Sequence, residues 1–406
     1  MKRPPMRMHL RGLMRLLCAP SLIAHKNTLT RVDMEGIKPP YLLLCNHNAF
    51  MDFTVAIKAT FPHRVNFVVA IDGFLKREWL LRLIGCICKR KFTRDTQLVR
   101  QLRRVVGRGD IAAVYPEARY SLCGTTAVLP ESIGKLAKLL DVPVVTLICH
   151  GHHVNSPFWN LPDHKVKGTE AVMTGLLTVD QLRAMSHEEV TAAIERAFQY
   201  DDYAWQKENG VRVSYKDRAR GLHKVLYQCP RCRAEYRMRS EGITLRCDAC
   251  GKQWEMTELG ELAAKEGETE FTHIPDWYEW ERQNVRGEIE RGEYRFDSAV
   301  RVDALPNARG YIDLGAGRLV HDMDGFHLRG KYMGEDYAVD IPAANLYSCH
   351  IEYDYLGKYG DCVDLNTPTD TLYIYPEGED FSVTKLALAT EELYGHYWRN
   401  KRPAGA

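Results

Sequence analysis

The first half of the chain alternates short apolar runs with amphipathic stretches of helical period. Short strands are predicted at 41–45, 85–91 and 141–149, and a further strand ends at Val114 in a Pro-Glu turn; helical stretches separate these strands. Strands that alternate with helices are typical of a mostly parallel sheet with helices on both faces. We therefore predict an α/β domain over residues 1–220, large enough to bury its own core.

Two short helices are predicted near the end of this domain. Thr178-Val-Asp-Gln181 and Ser186-His-Glu-Glu189 both have the pattern of a capping box, in which the hydroxyl and the third side chain satisfy free backbone donors. Each hydroxyl residue should therefore lie just before the first turn of a helix.

Beyond residue 293 the pattern changes to short alternating strands, separated by Gly, Pro and Asn/Asp turns. Eight strands are predicted, at 295–302, 310–314, 318–322, 325–328, 337–340, 347–353, 362–366 and 371–375. One helix with apolar positions at Val383, Leu386 and Trp398 follows them. A series of strands closed by a helix resembles a pleckstrin-homology-like barrel, so we expect a mainly β domain over 293–400.

Between these regions lie a cysteine-rich segment, 221–256, and a stretch predicted as an acidic helical linker, 257–292. The cysteines are Cys229, Cys232, Cys247 and Cys250, two Cys-x2-Cys pairs with fourteen residues between them. This spacing is typical of a zinc ribbon. Four thiolates leave no open position on a tetrahedral Zn²⁺, so the predicted zinc is structural. The arginines of the cysteine-rich segment could bind nucleic acid or a phospholipid surface equally well.

The net charge of +2 over 406 residues hides a strong asymmetry. Residues 76–108 hold eleven Lys and Arg but only two acidic residues. Residues 1–31 hold no acidic residue. A basic amphipathic helix is predicted over 6–24, either packed on the domain or lying on an anionic membrane surface. No apolar run approaches the roughly 18–20 residues of a membrane-spanning helix. Twelve cysteines without a secretory signal suggest a reducing cytosol.

Candidate chemistry lies where the first predicted strand ends, in Asn46-His47-Asn48 and Asp52. Across a strand-to-helix turn, Asp52 can fold back and hydrogen-bond the imidazole of His47. This contact would set the tautomer and leave the other ring nitrogen free as a base. A satisfied loop histidine beside an ordinary helix-cap aspartate is the alternative for the pair taken alone.

A second histidine-containing segment, 149–153, follows the strand predicted at 141–149. We interpret it as a loop at the rim of the ligand crevice rather than as a metal site, because no carboxylate or second cysteine pair lies nearby in the sequence.

Four segments, taken in order, resemble the sequence blocks of the glycerolipid acyltransferases, the family of lysophosphatidate acyltransferase. They are Asn46-His47-x4-Asp52, Gly85 with the cations that follow it, Tyr115-Pro-Glu117-Ala-Arg119-Tyr-Ser121, and Val142-Pro143. The resemblance covers about the first half of the chain. It implies that His47 and Asp52 are the catalytic pair.

The resemblance also implies substrate-binding residues, but the second and third blocks of this chain depart from the family pattern. The family spaces Gly and Arg six apart in the second block, but here Lys91 stands at that distance with Arg90 beside it. Glu117 and Ser121 match the third block, whereas Arg119 stands one place early. The predicted substrate-binding residues are Asn46, Arg90, Lys91, Glu117, Arg119 and Ser121.

The expected function is transfer of an acyl group from acyl-CoA or acyl-carrier protein to the hydroxyl of a lysophospholipid such as 1-acylglycerol 3-phosphate, as a step in phospholipid biosynthesis. The expected location is the cytoplasm, at the cytosolic face of a membrane. Clustering of the cations around the second block argues against nucleic acid as their partner. The competing hypothesis is a non-catalytic, membrane-associated adaptor that binds through the ribbon and the β domain. The sequence leaves the oligomeric state open.

Overall fold

The computed structural model describes residues 8–401, which form two compact units. The first comprises the described residues up to Lys89, together with 94–215 and 258–260. The second comprises 90–93, 216–257 and the described residues from 261 onward. The cysteine-rich segment therefore clusters with the C-terminal β region rather than with the α/β region.

The first unit contains nine helices and seven strands among its described residues. The helices are α1 (Met8–Ala24), α2 (Met51–Thr60), α3 (Glu78–Leu83), α4 (Thr96–Val106), α5 (Ile133–Leu140), α6 (His152–Asn155), α7 (Val179–Ala184), α8 (His187–Ala197) and α9 (Asp202–Glu208). The strands are β1 (Thr28–Val32), β2 (Leu42–Cys45), β3 (Val65–Ala70), β4 (Ile87–Lys89), β5 (Ile111–Val114), β6 (Val144–His150) and β7 (Glu170–Leu177).

These strands form one sheet in the order β1-β7-β6-β2-β5-β3-β4. All neighbours are parallel except β6 and β7. The prediction of a mostly parallel sheet is thus confirmed. β2 is buried at all four positions and lies between β5 and β6. Strands buried on both faces are expected to be continuously apolar, which explains the run at 42–45.

Helices cover the two faces of this sheet. On one face, Leu42 and Leu44 pack in a core with apolar residues of α4, α5, α7 and α8. On the other, Phe53 of α2 contacts Phe67 of β3, with ring centroids 4.9 Å apart. The capping boxes at Thr178 and Ser186 begin α7 and α8, as predicted.

The N-terminal helix begins, among the described residues, at Met8, and the first two residues of the helix predicted over 6–24 lie outside them. Met14 and Leu22 are buried. Leu13, Leu16, Leu17 and Ile23 are between 49% and 74% exposed. Among residues 8–401, no helix combines the length and the apolar character that crossing a membrane requires.

The second unit contains two helices and eleven strands within the described part of the chain. They are β8 (Met238–Glu241), β9 (Thr244–Cys247), β10 (Gln253–Met256), β11 (Leu262–Ala264), α10 (Ile274–Glu290), β12 (Phe296–Ala304), β13 (Ile312–Asp322), β14 (Gly325–Tyr332), β15 (Glu335–Pro342), β16 (His350–Glu352), β17 (Cys362–Asn366), β18 (Thr371–Pro376) and α11 (Val383–Lys401). Strands β8–β11 form one antiparallel sheet, and β12–β18 form another in the order β15-β14-β13-β12-β18-β17-β16.

Over the described residues 293–401, the β region has seven strands, β12–β18, where eight were predicted. The strands predicted at 310–314 and 318–322 are a single strand, β13. The segment between them was predicted as a turn because it contains Gly315 and Gly317. In the structure both glycines pair with β12, and the register of this pairing shifts between Val302 and Asp303. Gly315 has a φ of +81°, which suits glycine at a bulge.

The linker predicted over 257–292 is wrong as a connector. Residues 262–264 form β11, which pairs with β10. Helix α10 buries Trp277, whose ring lies 5.0 Å from that of Trp254. Acidic residues on the exposed positions hid this apolar stripe in the sequence. The helix is therefore part of the core of the second unit.

Candidate active site

The candidate site lies at the carboxyl ends of three neighbouring strands. β2 ends before Asn46 and His47, β5 ends before the turn at 115–121, and β6 runs to His150. Because β2 lies between the other two and runs parallel to both, the three ends meet at one edge of the sheet. Open α/β sheets place their ligand crevice at this edge.

Asp52 lies at the centre of the hydrogen-bond network at this edge. Its Oδ2 accepts from the backbone N–H groups of Asn48 (2.6 Å) and Ala49 (2.9 Å) and lies 3.4 Å from Nδ1 of His47. Its Oδ1 lies 2.5 Å from Nδ1 of His152. Burial raises the pKa of Asp52, but hydrogen bonds from His152 and His47 outweigh it and hold the pKa at about 2. The carboxyl is therefore ionised at neutral pH and can accept hydrogen bonds from both rings.

His152 is the residue of this network that the sequence analysis missed. It was expected in a loop at the crevice rim, but it begins the short helix α6 and is fully buried. Sγ of Cys149, Nδ1 of His152 and a carboxylate oxygen of Asp52 are close enough together to be a potential metal-ligand group. The only signal in the sequence was a histidine shortly after a buried strand. Its link to Asp52, 100 positions away, depends on β6 lying beside β2.

The ring of His47 lies between two tyrosines. The ring centroids of Tyr115 and Tyr120 are each 4.3 Å from it. The side chain of His47 remains 25% exposed, whereas that of Asp52 is fully buried. A substrate hydroxyl can therefore approach the imidazole but not the carboxylate.

Glu117 ties the two turns together. Its Oε2 accepts from the backbone N–H of His47 (2.6 Å), and its Oε1 accepts from the N–H of Ala127 (2.9 Å) and the hydroxyl of Tyr200 (3.1 Å). Complete burial raises the pKa of Glu117 to about 8, although these three donors lower it. The carboxyl thus supports the backbone of His47 from within the protein.

Two of the predicted substrate-binding residues, Asn46 and Ser121, hydrogen-bond backbone groups within the protein. The amide of Asn46 donates to the carbonyl of Cys149 (2.9 Å) and accepts from its N–H (2.8 Å), so it joins β2 to β6. The hydroxyl of Ser121 donates to the carbonyl of Thr125 (2.6 Å) and accepts from the N–H of Gly124 (3.0 Å). Both side chains are at most 1% exposed, and their contact with substrate stays a prediction.

Comparison with known proteins agrees with this geometry. Residues 24–150 match the family model described as Acyltransferase. The chain contains an acyltransferase domain. The matched region includes His47, Asp52 and Glu117, and it ends at the carboxyl end of β6.

Solved structures also match the chain. One is the crystal structure of the 1-acyl-sn-glycerophosphate (LPA) acyltransferase PlsC from Thermotoga maritima. It shares 14% sequence identity with this chain at a TM-score of 0.39, and the match covers 49% of this chain and 79% of that one. None of the curated proteins compared with the chain matches it.

Arg90 lies in the second unit, together with residues 91–93, although it was predicted to bind substrate beside the acyltransferase blocks. The guanidinium of Arg90 donates to the carbonyls of Leu305 (3.0 Å), Pro306 (2.7 Å) and Thr369 (2.7 Å) and to the hydroxyl of Thr371 (2.8 Å). These four acceptors use both N–H groups of each terminal nitrogen. The guanidinium of Arg90 is thus engaged within the second unit, and the substrate-binding roles of Arg90 and Lys91 stay predictions.

The third block differs from the usual family pattern at Ala118, which stands where glycine is usual. Ala118 has a φ of +56°, a left-handed conformation that glycine adopts at lower cost. Arg119, which follows it, is only 4% exposed. An acceptor phosphate would therefore meet this guanidinium only below the protein surface.

The four predicted metal ligands of the second unit come together. Sγ of Cys229 lies 3.8 Å from that of Cys250, and Sγ of Cys232 lies 3.7 Å from that of Cys247. A tetrahedral zinc with Zn–S bonds of about 2.3 Å has sulfur–sulfur edges of about 3.8 Å. The thiols are too far apart for disulfides and fit a tetrahedral metal. The four cysteines thus form a cluster that could hold a metal ion.

Proposed function

We propose that this protein transfers an acyl group from acyl-CoA or acyl-carrier protein to the hydroxyl of a lysophospholipid such as 1-acylglycerol 3-phosphate. The observation that carries the proposal is the arrangement of His47, whose ring is oriented by a buried carboxylate and is still open to solvent. The adaptor hypothesis gives no reason for an accessible imidazole held in this way.

The chemical step is direct attack of the acceptor hydroxyl on the thioester. The free ring nitrogen of His47 removes the hydroxyl proton as the oxygen bonds to the carbonyl carbon. The tetrahedral intermediate then collapses, the C–S bond breaks, and the imidazolium returns its proton to the leaving thiolate. The ester and the free thiol are the products. No residue of the chain needs to carry the acyl group.

Asp52 acts through the orientation and charge of His47. Donation from Nδ1 of His47 to the carboxylate holds the tautomer in which the other nitrogen is a base, and the negative charge stabilises the imidazolium that forms. With a pKa of about 2, Asp52 stays ionised during the step. Glu117 supports the backbone of His47, and Arg119 is the cation of the third block that would pair with the acceptor phosphate.

The test is an assay of His47→Ala with a labelled acyl-CoA and a panel of lysophospholipids. Loss of a positioned base should lower the rate about 10²–10⁴-fold. The control is His63→Ala, since His63 is exposed on the same unit. Full activity in the folded His47→Ala protein, or no transfer by the wild type to any acceptor, would support the adaptor.

We further propose that the four-cysteine site holds zinc in a structural role and that the protein acts in the cytoplasm, at the cytosolic face of an anionic membrane. The exposed leucines of α1 support membrane contact, because they recur every three or four residues and so form one apolar face.

A further inference from the structure

A second cluster of potential metal ligands lies in the seven-stranded sheet, apart from the four cysteines. Strands β16 and β17 pair antiparallel, with His350 opposite Asp364 and Glu352 opposite Cys362. Because side chains alternate between the faces of a sheet, these four residues share one face. An imidazole, two carboxylates and a thiol are thus gathered by two short strands.

The distances within this cluster suit a metal ion. One ligand atom each from His350, Glu352 and Asp364 lies within 4.8 Å of the others. Nε2 of His350 is 2.9 Å from Oε1 of Glu352, and Sγ of Cys362 is 3.8 Å from Oδ1 of Asp364. The N and O ligands of a tetrahedral zinc lie about 3.4 Å apart, since its bonds to them are about 2.1 Å long. Small side-chain rotations would bring the three atoms to this spacing.

The cluster is also largely enclosed. His350 and Asp364 are at most 3% exposed and Cys362 is fully buried, whereas the side chain of Glu352 is 17% exposed. The alternate positions of the same strands, Ile351 and Val363, are buried on the opposite face, where they anchor the hairpin in the core. Ligands held on paired strands with their backbone fixed in this way lose little freedom when a metal binds.

We propose that His350, Glu352 and Asp364 form a second metal site, for a divalent ion of the zinc class, with the Cys362 thiol adjacent to these three ligands. Imidazole nitrogen suits zinc and other transition metals, and the carboxylates add the charge that neutralises a divalent cation. A buried carboxylate such as that of Asp364 is costly unless a positive group accompanies it, and a divalent cation is such a group. This site would stabilise the edge of the sheet where β16 ends.

The experiment counts zinc in the full-length protein. Wild type, Asp364→Asn and His350→Gln are equilibrated with Zn²⁺, passed through gel filtration and measured by inductively coupled plasma mass spectrometry. Asp340→Asn is the matched control, because Asp340 also pairs with a histidine on this sheet, His327, but at an exposed position. We expect the two cluster variants to hold one zinc per chain fewer than wild type and control.

Equal zinc content in all four proteins would overturn the proposal. If the cluster variants fail to fold, X-ray absorption of the wild type decides. A shell of N or O ligands at about 2.0–2.1 Å beside the sulfur shell supports the second site, and sulfur ligands alone at about 2.3 Å refute it. Cys250→Ser separates the two sites, since it should weaken the sulfur shell, which comes mainly from the four cysteines, and leave the N/O shell unchanged.

Discussion

At the scale of single residues, the site depends on how one carboxylate is shared. Asp52 accepts from two backbone N–H groups and lies against two imidazoles, but only His47 is open to solvent. His152 is buried on the far side of the carboxylate and cannot touch a substrate. We infer that His152 is a positioning residue that holds Asp52 in place and keeps it ionised.

This role predicts the behaviour of His152→Gln. Loss of the ring contact should lower kcat about tenfold, roughly 1.4 kcal/mol, with little change in KM. Because His152 lowers the pKa of Asp52, Asp52 should titrate at a higher pH in the variant than in the wild type. Steady-state kinetics measure the first effect, and the pH dependence of the NMR chemical shift of the Asp52 carboxyl carbon measures the second. An unchanged pKa of Asp52 in a folded variant would leave His152 with a purely structural role.

At the scale of elements, the cysteine-rich sheet and α10 form one packed structure. The indole N–H of Trp277 donates to the carbonyl of Gln228 (3.0 Å), directly before Cys229, and Glu281 accepts from the N–H of Gln228 (2.7 Å). Metal binding at the cysteines is therefore coupled to the packing of this helix.

Removal of the metal should loosen that packing. Cys232→Ser should hold one zinc per chain fewer than wild type, and its tryptophan fluorescence should shift to the red as Trp254 and Trp277 meet water. Cys18→Ser is the control, because Cys18 lies on α1, far along the chain from the four ligands. An unchanged zinc content in Cys232→Ser would refute the proposal that the four cysteines hold zinc.

Helix α1 provides a second prediction at this scale. Leu17, 70% exposed on its apolar face, contributes to membrane binding if this face enters the headgroup layer. Burial of one leucine is worth roughly 1.5–3 kcal/mol, so Leu17→Glu should weaken binding to anionic vesicles at least tenfold. Leu356→Glu, at a leucine 65% exposed in the second unit, should leave binding unchanged. Equal vesicle sedimentation of both variants and wild type would contradict the proposed membrane contact.

At the scale of the whole molecule, two fully buried acids make stability depend on pH. Burial raises the pKa of Glu117 to about 8 and that of Asp202 to about 7. In the unfolded chain both lose their protons near pH 4. Between these limits the folded state binds more protons than the unfolded state, so its stability falls as pH rises.

The free energy of unfolding by urea should therefore decrease between pH 6 and pH 8, by roughly 1 kcal/mol per pH unit for each acid still protonated. Glu117→Gln should make this slope shallower, because the amide of the introduced glutamine does not titrate. The control is Glu131→Gln, since Glu131 is exposed. Parallel slopes for Glu117→Gln and wild type would show that Glu117 is already ionised in the folded protein.

Local chemistry explains which features of this protein were predictable. The helix starts at Thr178 and Ser186 follow from side chains that bond backbone groups three residues away. The buried strand at 42–45 and the Cys-x2-Cys pairs likewise carry their signal within a few residues. For the same reason the turn that brings Asp52 back to His47 was predictable.

Only the tertiary structure decided the partners that lie far apart along the chain. Asp52 meets His152 because β6 is placed beside β2, and strand order is set by the packing of the whole sheet rather than by any single segment. Arg90 stands next to the expected cation position, but it bonds carbonyls more than 200 residues away. The sequence by itself determined the elements and the short-range pair at the active site. The fold determined which distant side chains support that pair, because those contacts depend on the order of the strands in the sheet.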